Sequence, residues 1–334
     1  MLTQIVVFVL GLGILYLGAD WLIDGASEVA RRFGIRPLII GLTIVALGTS
    51  LPEFLLNLFA VAAKEDGLAI GNIIGSNIAN IALILGISAV IMPLSVDGAA
   101  LKKEYPMMLA VTGLFYLLSL DGAISRIDGM ILVSGLVAFL VFVIRDSSTS
   151  STSPEPKALS VDREDDPLFV PKSGIKKWLH DEKLGPAMRI LLIVAGMAAL
   201  AIGARLMVQA AITMADMLQI NPVVVGLSIV AIGTSLPELA ASLMASAKQE
   251  SDLSVGNILG SNLLNILFVI GVVAIIQPMQ VDSETLNFHM PVMIGFSLLL
   301  WPLARSHHRL SRPGGILLLS GFVAYMIWLI APYL

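Results

Sequence analysis

Two acids lie inside stretches that otherwise read as hydrocarbon-soluble. Glu53 falls in GLTIVALGTSLPEF (41–54) and Glu238 in GLSIVAIGTSLPEL (226–239). A carboxylate at membrane depth is costly, and such residues mark ion or substrate pathways. More oxygen is placed beside each one. Thr49 is four residues before Glu53 and shares its helical face if the turn survives, while Ser50 is three before it. Pro52 has no N–H for the carbonyl of Gly48, so the helix should break or kink near Gly48–Pro52. The loosened carbonyls cannot be satisfied by lipid. Thr234, Ser235 and Pro237 repeat the arrangement around Glu238. Hydroxyls, carboxylates and free carbonyls are hard ligands, suited to Na+, Ca2+ or protons rather than Cu or Zn.

A second motif supplies another layer. In GNIIGSNIAN (71–80), Asn72, Ser76 and Asn80 recur every four residues as one polar stripe; Asn257, Ser261 and Asn265 do the same in GNILGSNLLN (256–265). Gly71 and Gly75 would let another helix approach closely. For Asn72 and Asn257, bracing between helices and ion ligation weigh equally. Asn77 and Asn262 point elsewhere on the helix and read as interhelical structure.

These residues need elements to hold them. The chain is 57% hydrophobic and 13% charged, against roughly 25% charged in soluble domains. Ten apolar stretches are long enough, or nearly so, to span a bilayer: about 3–29, 37–62, 69–93, 105–120, 127–144, 187–214, 222–247, 254–277, 287–304 and 313–332. The fourth is short. Segment 2–18 lacks the basic start of a signal peptide and runs on past residue 18, so it counts as a span. The runs are too long and too uniformly apolar for barrel strands. With no cysteine there is no disulfide, thiolate metal site or cysteine nucleophile.

The two halves match at a constant offset of 185 over at least 57 residues, with 11 identities in 14 positions of the first motif and 7 in 10 of the second. Each half holds five spans. Five is odd, so the second half enters from the opposite side. This predicts an all-α integral membrane protein of ten transmembrane helices, built as two inverted repeats with broken helices 2 and 7 at the midplane. The repeats are 1–145 and 187–334, joined by a solvated linker, 146–186, whose Trp178 and Leu179 could dock on the membrane surface. Assigning loops to alternate sides puts 17 basic residues on one side and 2, Lys64 and Arg126, on the other. By the positive-inside rule the first side and the linker are cytoplasmic, with both termini outside the cell membrane.

GTSLPE followed by GNxxGSNxxN, once in each half of a ten-span chain, resembles the cation/calcium exchanger superfamily, and within it the prokaryotic sodium/calcium exchanger-like antiporters. The resemblance implies two gating helices, spans one and six, lying across an eight-helix core. It implies Ca2+ bound by Glu53, Glu238, Thr49 and Thr234, and flanking Na+ sites using Ser50, Ser76, Ser235 and Ser261 with the carbonyls of Ala46 and Ala231. Asn80 and Asn265 would complete the central layer. One of these last two positions is often Asp in the sodium/calcium exchangers of that family; here both are amides, so the centre holds two acids.

The resulting expectation is a secondary antiporter exchanging Ca2+ for Na+ across the lipid bilayer, with H+ or K+ as alternative counter-ions and no cofactor, nucleic-acid partner or enzymatic activity. An empty site with two facing carboxylates should cross the membrane poorly, which would enforce exchange. A channel would use the same oxygens without counter-ion dependence. An enzyme lacks a nucleophile set, and ATP-driven pumping lacks a phosphate-binding loop. Asp20 and Arg205 occupy equivalent positions and are opposite in charge, which suggests ion pairing near the gate. Asp24 and Glu28 read as interfacial. Asp97 and Asp282 read as caps or turns. The histidines at 180, 289, 307 and 308 form no metal set.

Overall fold

The structure, a computed structural model, describes residues 1–149, 186–218, 231–305 and 308–331. The helices are α1 (Leu2–Phe33), α2 (Pro37–Thr49), α3 (Leu51–Ala62), α4 (Asp66–Ile91), α5 (Glu104–Leu118), α6 (Arg126–Thr149), α7 (Pro186–Met217), α8 (Ala231–Thr234), α9 (Leu236–Ala247), α10 (Ser251–Ile276), α11 (Thr285–Arg305) and α12 (Arg312–Ile330). Seven of these are long and apolar enough to cross a membrane, and α2 with α3 makes an eighth, bent by 43°. The fourth span is α5, whose 15 residues rise only about 22 Å. The seventh ends in α8 and α9, and its start lies outside the described residues, as does most of the linker with Trp178 and Leu179.

The inverted repeat is visible in element boundaries. α3 and α9 start and stop at the same offset, as do α4 and α10. Lys64 and Gln249 both adopt φ 64 in the turns between them. Short strands seal the two ends. β1 (Leu94–Ser95) pairs with β4 (Arg309–Leu310), and β2 (Ala123–Ile124) pairs with β3 (Met279–Gln280). Each pair takes one strand from each half, and the pseudo-twofold axis exchanges the pairs.

Loop contacts sort the same way. Near β1 and β4, Arg36 bridges to Asp97 at 2.7 Å and Arg312 donates to the carbonyls of Val90 and Ile91. Near β2 and β3, Arg126 donates to the Ile276 carbonyl and Gln280 N–H to Asp66. Among the described residues these contacts fall into two groups, as loops alternating between opposite faces would.

Two apolar cores divide the molecule. One is built mainly from α4, α5, α6, α10, α11 and α12. The other joins α1 and α7 to Ile40 and Val45 of α2 and to Ala241, Met244 and Ala245 of α9. α1 and α7 run antiparallel with their backbones in close approach. A Cβ at Gly18 would stand 2.7 Å from the Leu200 nitrogen, and one at Gly203 would stand 2.6 Å from the Leu15 nitrogen. Glycine is needed at both, because backbone cannot give way. α4 and α10, which carry the amide motifs, are the central helices: 78% and 83% of their most apolar windows are buried, against 22% for α1.

This register corrects one expectation. Asp20 does not pair with Arg205. Residue 18 meets 196–200 and residue 11 meets 203–207, so Asp20 and Arg205 stand about nine residues apart along the helices, about 13 Å. Inversion carries equivalent residues to opposite depths. Asp20 instead bridges to Lys248 at 2.6 Å, which also holds Asp24 at 2.7 Å, while Glu28 pairs with Arg189 and Arg31. Arg205 is exposed. Asp97 caps the short helix at Gly98–Lys102 through the Ala99 N–H, and Asp282 accepts from the Thr285 N–H and hydroxyl, as turns of this kind require.

Candidate cation site

Proline sets the geometry. α2 stops at Thr49 and α3 starts at Leu51, with Ser50 between them at φ −85, ψ 1; Ser235 separates α8 from α9 at φ −88, ψ 7. The break falls inside the Gly48–Pro52 window. Each new helix restarts on the serine carbonyl, which accepts from Phe54 or Leu239. Glu53 and Glu238 therefore occupy the first turn of α3 and α9. There the unpaired N–H groups of a helix start favour negative charge.

The two breaks face α4 and α10 in crossed fashion. The Thr49 hydroxyl donates to Asn257 Oδ1 at 3.2 Å, and Thr234 donates to Asn72 Oδ1 at 3.2 Å. Thr49 also lies 3.4 Å from Ser261 Oγ. Ser50 donates to Glu238 Oε1 at 3.3 Å. Ser76 faces the Glu53 carboxylate, which is close enough to Glu238 for the two charges to repel. Asn80 Nδ2 donates to Asn262 Oδ1 and Asn265 Nδ2 to Asn77 Oδ1, both at 3.0 Å. Glu53, Glu238, Thr49, Asn80, Asn265 and Ser261 are fully buried.

Several of these buried oxygens receive no hydrogen bond. They are Glu53 Oε1 and Oε2, Glu238 Oε2, Asn80 Oδ1 and Asn265 Oδ1, with the hydroxyls of Ser76 and Ser235 also unpaired. Buried polar atoms ordinarily find partners. Here the leftovers are predominantly acceptors, carry two formal negative charges, and come from both halves. Such a set is complementary to a desolvated cation. Among the described residues no group of three or more His, Cys, Asp and Glu could hold a metal, so any ion here must use amide and hydroxyl oxygens beside the two acids.

Residues 3–145 and 188–331 match the family model described as sodium/calcium exchanger protein. The chain belongs to that family. It is 36% identical to the putative antiporter CaxA of Alkalimonas amylolytica over 97% of this chain and 98% of that one. It is 34% identical to the inner membrane protein YrbG of Escherichia coli over 100% and 99%. A solved structure of the sodium-calcium exchanger NCX_Mj, soaked with Na+ and Ca2+, superposes with a TM-score of 0.79 at 30% identity, over 97% of each chain. The protein is an integral membrane transporter of the cation/Ca2+ antiport class.

Within this exchanger, the residues named from sequence fall into two groups. Glu53, Glu238, Thr49, Thr234, Ser50, Ser76, Ser261, Asn80 and Asn265 are brought together across the two halves, and Ser235 occupies the second break. Ala46 differs: its carbonyl already accepts from the Ser50 N–H and lies 3.3 Å from the Thr49 hydroxyl. At the Ala231 break the serine N–H bonds the Ile232 carbonyl instead. Asn257 acts as a brace, since its amide also donates to Ser242 at 3.0 Å. Gly256 and Gly260 pack on the Leu38 and Leu42 carbonyls; the corresponding neighbours of Gly71 and Gly75 would be 223 and 227, outside the described residues.

Two features escaped the sequence reading. Asn57, fully buried, donates to the Glu53 carbonyl at 2.8 Å and leaves its own Oδ1 unpaired. Its position four residues after Glu53 was an available signal. The other is a widened π turn at Ala79–Ile84 and Asn265–Ile270, beginning one residue before the last Asn of the first motif and at the last Asn of the second. Such turns gather at functional sites, and nothing in the residue types announces them.

Proposed function

We propose that the chain exchanges Ca2+ for Na+ by alternating access around a single midplane site. The observation that carries this reading is the set of buried, donor-free oxygens on Glu53, Glu238, Asn80 and Asn265. Two carboxylates balance one Ca2+, and Thr49 and Thr234 can add lone pairs, because each spends its hydroxyl hydrogen on an Asn. Na+ would use Ser50, Ser76, Ser235 and Ser261 around the same acids. The carbonyl of Ala46 could join only by sharing its existing bonds.

Alternation would fall to α1 and α7, which pack on a core of their own. The basic face would be cytoplasmic, putting both termini outside the inner membrane. The second reading couples Ca2+ to H+. It draws on the same carboxylates, since two facing acids without donors can be neutralised by protons as well as by a metal. Ca2+ uptake into proteoliposomes under separate Na+, K+ and pH gradients decides. Uptake that follows only the pH gradient overturns sodium coupling, and Ca2+ flux without any counter-ion overturns exchange.

A further inference from the structure

We propose that Asn77 and Asn262 are positioning residues that fix the amide orientation of Asn265 and Asn80, so that each presents oxygen rather than nitrogen to the cation. The inference rests on the Ca2+ reading above and goes beyond it by assigning a role to residues outside the ligand set.

An Asn side chain carries one acceptor end and one donor end, nearly equal in shape. As a cation ligand it is useful only one way round; flipped, it offers N–H to a positive ion. Something must choose. For Asn265 the choice can be traced to an atom that cannot flip. Asn77 Nδ2 lies 3.4 Å from the backbone carbonyl of Asn262. Turning the Asn77 amide over would set its oxygen against that carbonyl, two acceptors facing. Asn77 Oδ1 is thereby committed, and it accepts from Asn265 Nδ2 at 3.0 Å. The donor end of Asn265 is consumed, and the atom left over is Oδ1, buried and without a donor.

The other half repeats the logic with a softer anchor. Asn262 Nδ2 donates to Met108 Sδ at 3.7 Å, its Oδ1 accepts from Asn80 Nδ2 at 3.0 Å, and Asn80 Oδ1 is left over. Each ligand amide is thus oriented by an Asn from the opposite half. The π turns that begin here pack against the helices bearing the glutamates: Ala79–Ile84 against α9, and Asn265–Ile270 against α3.

The test uses a residue that cannot be misoriented. A carboxylate has two equivalent oxygens, so Asp at 265 has no wrong way round. Ca2+ uptake by the full chain in proteoliposomes is measured for wild type, Asn77→Leu, Asn265→Asp and the double variant. Asn77→Leu should raise the Ca2+ KM by about tenfold, equivalent to about 1.4 kcal/mol. The same substitution should raise it by less than about threefold in the Asn265→Asp background, a non-additivity that a double-mutant cycle isolates. A merely structural Asn77–Asn265 hydrogen bond predicts that the non-additivity appears in the melting temperature while the Ca2+ KM does not move, and that result overturns the proposal. If Asn77→Leu does not fold, Asn262→Leu with and without Asn80→Asp asks the same question of the other pair. Wild-type Ca2+ flux with KM unchanged by the leucine variants defeats the orientation alone. Absence of Ca2+ flux in wild type defeats the Ca2+ reading and this inference together.

Discussion

Converting one site glutamate to its isosteric amide gives the sharpest check on the cation site, and the two glutamates should not respond alike. Glu53 has both carboxylate oxygens free of donors, whereas Glu238 Oε1 already receives the Ser50 hydroxyl. In Glu238→Gln the new NH2 can sit at the Oε1 position, with Ser50 rotating to accept, and Oε2 remains oxygen. In Glu53→Gln, either orientation puts an NH2 where a cation ligand should be. The common loss is one negative charge beside a divalent ion. At an effective dielectric of about 20 and a separation of about 4 Å, that is about 8 kcal/mol gross. The amide dipole recovers part of it. If only half the gross loss survives, about 4 kcal/mol, Ca2+ affinity falls by about three orders of magnitude. Glu53→Gln should be the more severe. The same change removes the repulsion between the acids, so the Ca2+-free protein should melt higher while its stabilisation by Ca2+ disappears. The assays are Ca2+ uptake into Na+-loaded vesicles and thermal unfolding with and without Ca2+. Wild-type uptake by either variant, or a Ca2+-dependent melting shift as large as wild type's, refutes the reasoning.

Other expectations follow from packing and charge. Gly18→Ala puts a methyl 2.7 Å from the Leu200 nitrogen; α1 and α7 must separate, and exchange rate should drop about tenfold or more while Ca2+ affinity stays within about threefold. Preserved exchange would show that the two helices need not touch. Lys248→Met strands Asp20 and Asp24 and should cost about 1–3 kcal/mol, less than the 3–5 of a fully buried pair; adding Asp20→Asn and Asp24→Asn should restore the melting temperature. For Asp282, burial alone would raise the carboxyl, but the Thr285 N–H and hydroxyl outweigh it and hold the pKa below the usual value. Its stabilisation is present above an unfolded pKa of about 4 and fades as pH falls through the lower folded value. Melting scans from about pH 5 to 3 should fall more steeply for wild type than for Asp282→Asn.

What the chain discloses in advance depends on how local the physics is. Proline's veto acts within one turn, so Pro52 and Pro237 announced breaks that the structure has at Ser50 and Ser235. The constant offset announced matching helices, and α3 with α9 obeys it to the residue. Helical angle alone set Asn77 and Asn262 apart from the polar stripe. Their partners could not be read the same way, because Asn77 meets Asn265 only through the register between α4 and α10. The Asp20–Arg205 pairing failed for a related reason: equivalence by offset was taken as proximity, although an inverted repeat sends equivalents apart in depth. Lys248 carried no such label, being one basic residue among many at the membrane surface.

The crossed strand pairs constrain the mechanics of the whole molecule. Because β1–β4 and β2–β3 each tie one half to the other, the halves are riveted together at both membrane surfaces and have little freedom to shear past one another. α1 and α7 contribute to neither rivet, and they meet each other along a glycine seam. If alternation falls to α1 and α7 as proposed, the molecule would work as a stator carrying one sliding bolt. Changes in bilayer thickness or tension should act on turnover chiefly through that bolt, leaving the oxygen cage in the stator and its ion affinity nearly untouched.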